Sequence, residues 1–156
     1  MKALLVVDLQ KQFNGHDSYR SCVDYIKANR KDYDIMIPLV YSQRVLGDIN
    51  DVHEDNLTVN DCMYCNESDL EYETGDSAVI IRNTYSSDYM LKDIPADCKV
   101  DVIGCDDKSG VVANCMTLWD NNVDFRVLSD YIYTNNAVGS GAIVEYMKQH
   151  FGKCVA

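Results

Sequence analysis

Leu4-Leu5-Val6-Val7-Asp8-Leu9-Gln10-Lys11-Gln12-Phe13 opens the chain and decides how the rest is read. Residues 3–7 form an unbroken apolar run, the pattern of a strand buried on both faces of a parallel sheet. A carboxylate, Asp8, closes it. Working outward, helical and strand patterns alternate. Tyr19, Cys22, Val23 and Ile26 fall at helical spacing. Residues 34–42 (DIMIPLVYS) read as a second strand, in which Pro38 counts against an interior place in a sheet. Residues 77–82 (SAVIIR) and 99–104 (KVDVIG) read as the third and fourth strands, with a short helix over 86–91 ending near Pro95. Residues 109–121 are the clearest helix, because Val111, Val112, Cys115, Leu118 and Trp119 make one apolar stripe. Residues 124–128 (DFRVL) are a fifth strand running into Ser129-Asp130, and 139–150 a last helix with Gly152 as its stop.

Strands alternating with helices predict an α/β fold, a three-layer α/β/α arrangement around a mostly parallel sheet, with residues 1–156 as one domain. The segment 43–74 is acidic and without clear periodicity, long for a loop in a compact domain. Ligands of such sheets bind beyond the carboxyl ends of the strands. Three tips therefore carry the functional reading: Asp8, Arg82 and the turn from Gly104 to Gly110.

Composition excludes several classes of function. The formal net charge of −11 argues against nucleic acid and against anionic membrane surfaces, both of which call for clustered Lys and Arg. No stretch approaches the ~20 apolar residues of a membrane span, and the first apolar run is too short for a signal peptide, so a cytoplasmic protein is expected. The seven cysteines, at 22, 62, 65, 98, 105, 115 and 154, lack regular spacing and read as free thiols. Cys62-x-x-Cys65 is half a zinc site with nothing to complete it. No metal and no cofactor is expected.

The ordered motifs resemble the isochorismatase-like cysteine hydrolases, the superfamily that includes nicotinamidases. Its opening strand, LLVVDxQxxF, is matched almost completely by residues 4–13. Its KxxxSAF motif corresponds to Arg82-Asn83-Thr84-Tyr85-Ser86-Ser87-Asp88, with arginine in place of lysine. Its GxxTDxCV motif corresponds to residues 104–111, where Gly104 and Val111 are in register and Gly110 stands at the nucleophile's position. The resemblance implies an Asp–Lys–Cys triad in active members. The aspartate takes the thiol proton, the lysine favours the thiolate, and the thiolate attacks an amide-type carbonyl while helix N-terminal N–H groups hold the oxyanion.

Carried over residue by residue, the implied catalytic positions are Asp8, Arg82 and Gly110, the last without a thiol. The implied ligand-binding positions are Phe13, Tyr85, Ser86, Cys105 and Asp106, with Tyr89 also placed to line the cleft. The expected protein is a catalytically degenerate family member. It keeps a strand-end pocket for a small metabolite or a protein partner, with Arg82 either paired with Asp8 or free to take an anionic ligand bidentately, and it forms a dimer or larger homo-oligomer as family members commonly do. The alternative is a hydrolase, or a lyase of the isochorismate-cleaving kind that needs no covalent cysteine, working through Asp8 and Arg82, with Cys105 as an optional relocated nucleophile. Nicotinamidases also carry a DxHxxxxH metal set. Asp51-Val52-His53 has its first half, but no second histidine follows, so a solvated acidic loop is preferred there.

Overall fold

A computed structural model describes residues 1–41, 70–82 and 85–156, and the backbone alone at 43–44 and 62–63. Asp51-Val52-His53, Cys65, Asn83 and Thr84 lie outside the described residues, as does the side chain of Cys62.

The strands are β1 (Lys2–Val7), β2 (Ile35–Tyr41), β3 (Gln43–Arg44), β4 (Cys62–Met63), β5 (Ile80–Arg82), β6 (Lys99–Cys105) and β7 (Asp124–Tyr133). The helices are α1 (Asp17–Asn29), α2 (Gly110–Asp120) and α3 (Ser140–Phe151). Five strands form one sheet in the order β5-β2-β1-β6-β7, and β3 and β4 form a separate antiparallel pair. Every pairing in the large sheet is parallel, so the expected mostly parallel sheet is parallel throughout.

Alternation along β1 supplies both cores. Ala3, Leu5 and Val7 pack with Val111, Cys115 and Leu118 of α2 and Met147 and Phe151 of α3. Leu4 and Val6 pack with Tyr19, Cys22, Val23 and Ile26 of α1 on the other face. These are the three layers the sequence pattern predicts. The connections extend the sheet both ways from β1, so the strand order reverses between β1 and β6. A ligand crevice belongs at that reversal, beyond the strands' carboxyl ends.

Several expectations change. Pro38 sits inside the sheet, opposite Val6. The Asp8 N–H donates to the Leu39 carbonyl, so the odd-numbered residues of β2 face β1 and Pro38 faces β5. Pairing with β5 begins only at Leu39, so the missing N–H falls where no ladder has started. β5 is shorter than the predicted strand, and the predicted helix over 86–91 is a 3₁₀ helix at Asp88–Asp93. β7 runs on to Tyr133 instead of ending near residue 128. Its register shifts, with Val102 opposite Val127 but Gly104 opposite Ile132, and an apolar count cannot see past such an irregularity. Trp119 leaves the α2 stripe; it is 51% exposed and lies tilted against Phe151, ring centroids 5.8 Å apart. Part of the acidic segment is structured, since Tyr72 is buried in the α1-side core. Among the described residues no helix is long and apolar enough to cross a membrane.

Candidate functional site

The three strand tips converge. β1 ends at Val7, and Asp8 follows in the left-handed region, φ 50°, which L-residues adopt reluctantly. Its N–H completes the ladder to Leu39. Gln10 extends that ladder with its side chain: the amide accepts from the Tyr41 N–H at 2.7 Å and donates to the Tyr41 carbonyl at 3.0 Å. On the other side of the reversal, Gly104 carries φ 135° and passes so close to β1 that a Cβ there would lie 2.0 Å from the Val7 carbonyl oxygen. Only glycine allows that approach, so the matched glycine of the motif has a backbone cause. The chain then turns through Ser109, also left-handed at φ 55°, into Gly110 and α2. Asp8 and Ser109 are two of the three described non-glycine residues with positive φ, and both belong to this site.

Arg82, the last residue of β5, reaches across β2 to Asp8. Its Nε donates to Asp8 Oδ1 at 3.1 Å, its Nη2 donates to Asp8 Oδ2, and its Nη1 donates to the Tyr85 carbonyl at 3.0 Å. This is a bidentate ion pair with each side chain only 1% exposed. The guanidinium carbon also lies 5.2 Å from the centroid of the Tyr41 ring, close enough for a cation–π contact. Burial pushes the Asp8 carboxyl up to about 6; Arg82 pulls it down, and Asp106 and Asp107 add upward contributions. The guanidinium donates to both oxygens of Asp8, so neither is left open.

Gly110 faces this pair. A Cβ built on it would stand 2.2 Å from Arg82 Nη2, 2.8 Å from Asp8 Oδ2 and 2.9 Å from Arg82 Cζ. The space into which a side chain at position 110 would project is filled by the guanidinium. A side chain at 110 and the guanidinium of Arg82 would thus share a single volume. Asn114 fixes the arrangement. It is fully buried, donates to the Gly110 carbonyl at 2.7 Å and accepts from the Ser87 N–H at 2.9 Å, tying the first turn of α2 to the segment after β5.

The remaining candidates are scattered. Asp106 is buried and caps α2, accepting from the Val112 N–H at 3.0 Å; burial raises its carboxyl against that bond. One N–H group of the first turn of α2 is thereby occupied. Cys105 lies on the α1 face of the sheet with Phe13 and Tyr133, and burial pushes its thiol well above the ordinary range. Period-two alternation places it on the face opposite α2. Phe13 is buried, and its carbonyl accepts from the Tyr133 hydroxyl at 2.9 Å. Ser86 is half-buried beside the Arg82–Tyr85 contact. The Tyr85 side chain is 73% exposed, and Tyr89 is also exposed with Lys92 over its ring, so the carbonyl of Tyr85, not its ring, serves the site. Asp107 ties the turn after β6 to the end of β7 through Thr134 Oγ1 at 2.8 Å and Asn135 Nδ2 at 2.8 Å. No group of acidic, His or Cys side chains among the described residues has a metal-binding arrangement. Among the described residues, a cavity of about 610 Å³ is lined by α1, Arg30 and residues 70–73, and one of about 330 Å³ by the amino ends of β1, β6 and β7.

Sequence reasoning missed Gln10, Tyr41 and Asn114 as parts of the site. For Asn114 the signal is present: a lone amide amid the apolar residues of α2, one turn beyond Gly110.

No protein-family model and no curated protein matches the sequence. Solved structures do match in shape. A nicotinamidase from Bacillus subtilis superposes with a TM-score of 0.65 at 14% identity, over 99% of this chain and 98% of that one. An N-carbamoylsarcosine amidase from Thermoplasma acidophilum gives 0.65 at 17% identity, over 97% and 92%. An isochorismatase family protein from Burkholderia thailandensis gives 0.65 at 17% identity, over 99% and 90%. The fold of the chain is therefore the isochorismatase-like fold, along nearly its whole length.

Proposed function

We propose that this chain is an isochorismatase-like protein that has lost cysteine-hydrolase chemistry and acts by binding, either to a small molecule or to a protein partner. One observation carries the reading: the volume facing position 110 holds the Arg82 guanidinium, locked on Asp8. Acyl transfer needs an attacking atom and a base with a free lone pair, both open to substrate. Here glycine offers no atom, and the carboxylate of Asp8 is doubly bound and shut off from solvent. The same closure weakens the vinyl-ether alternative, which needs Asp8 to meet its substrate. Cys105 does not repair the loss, because its protonated thiol lies in the core on the other face of the sheet.

The test is ammonia release from nicotinamide and from N-carbamoylsarcosine, the compounds named by two of the structural neighbours. The expected rate is indistinguishable from the uncatalysed background. Turnover in the ordinary enzymatic range, roughly 1–10³ s⁻¹, would overturn the reading.

A further inference from the structure

We propose that the hollow bounded by Asp8, the Tyr85 carbonyl and Gly110 is a recognition site for guanidinium-type cations, met within the chain by Arg82, and not a site for anions. This deepens the reading above and rests on it only in that both take Arg82 to fill the hollow. The surroundings have the chemistry of a guanidinium receptor. A carboxylate presents both oxygens to one edge of the planar group, a backbone carbonyl takes a third donor, and the Tyr41 ring lies 5.2 Å from its carbon. Asp106 and Asp107 act on the same position with negative charge. An anion entering here would meet carboxylates whose nearest countercharge is already committed to Asp8. A cation of the right shape would replace that countercharge. The absent Cβ at Gly110 leaves room for the flat head, as its near approach to Arg82 Nη2 shows.

The experiment uses Arg82→Ala in the full chain, with thermal unfolding followed in methylguanidinium chloride, sodium chloride or sodium acetate at equal millimolar concentration. Methylguanidinium is expected to raise the unfolding midpoint of Arg82→Ala along a saturating curve, to leave the parent protein's midpoint unchanged, and to be unmatched by either sodium salt. Adding Asp8→Asn should abolish the rise. Arg82→Lys, which keeps a charge and fills the hollow, should show no response. If Arg82→Ala does not fold unaided, the same comparison is read from its refolding yield out of urea. A response absent in Arg82→Ala, equal in acetate, retained with Asp8→Asn, or equal in Arg82→Lys would overturn the proposal. Ammonia release is measured on the parent protein alone, so failure of this site and failure of the non-catalytic reading remain separate results.

Discussion

Replacing Gly110 by alanine asks whether one methyl group fits where the guanidinium lies. Elsewhere in a helix the exchange stabilises by up to about 1 kcal/mol, because alanine loses less backbone freedom on folding. At position 110 the new carbon would sit 2.2 Å from Arg82 Nη2 and 2.8 Å from Asp8 Oδ2. Both contacts are inside van der Waals distance, so a group must move. The backbone of α2 is held by Asn114 and Asp106, which leaves the side chain of Arg82. Moving it separates a buried ion pair, and leaving one buried charge without its partner costs ~3–5 kcal/mol. The net expectation is a loss of roughly 2–4 kcal/mol, the propensity gain being set against the broken pair. For a chain of this length that lowers the unfolding midpoint by roughly 4–16 °C. Urea unfolding followed by circular dichroism measures it. An alanine variant as stable as the parent, or more stable, would refute the reasoning, because it would mean that the volume at 110 is not contested.

Two further outcomes follow from other parts of the fold. Gly104→Ala should fail to give folded protein, or should lose more than about 4 kcal/mol, because its Cβ meets backbone at Val7 and the position carries φ 135°; a circular dichroism melt near that of the parent would contradict this. Asp101, at the amino end of the sheet, accepts from Tyr33 Oη at 2.8 Å, Arg126 Nε at 2.9 Å and Lys2 Nζ at 3.1 Å. Burial works to raise its carboxyl, but these donors outweigh burial and hold it below the usual 3.8. Since the folded value lies below the unfolded one, this stabilisation is present above pH ~4 and is lost as the pH falls through the folded value. The stability gap between the parent and Asp101→Asn should therefore close on acidification below pH 4, and a gap unchanged from pH 6 to pH 3 would remove Asp101 as its cause.

Much of this was legible from residues alone because it rests on periodicity and on backbone necessity. The unbroken run of β1 has to be a strand buried on both faces, α1 shows its buried stripe at Tyr19, Cys22, Val23 and Ile26, and Gly104 marks a close approach that its φ and contacts explain. The positions of Asp8, Arg82 and Gly110 at converging tips follow from a parallel sheet with a reversal of strand order. What could not be read was occupancy: only the third dimension shows that the Arg82 head, paired with Asp8, lies in the volume that a side chain at 110 would enter. Pro38 and the far half of β7 were hidden for a related reason, since each depends on where a neighbouring strand starts or shifts register. Cys105 is different: alternation along β6 already turns it away from α2, and only its nearness in sequence to Gly110 made it a candidate nucleophile.

The central claim is that positions 82 and 110 compete for one space, and a double-mutant cycle with Gly110→Ala and Arg82→Ala tests it most directly. With the guanidinium gone, alanine at 110 should cost nothing or stabilise by up to about 1 kcal/mol, giving an interaction energy of about 2 kcal/mol or more between the two sites. Stabilities that simply add, within about 0.5 kcal/mol, would show two independent substitutions and contradict the account.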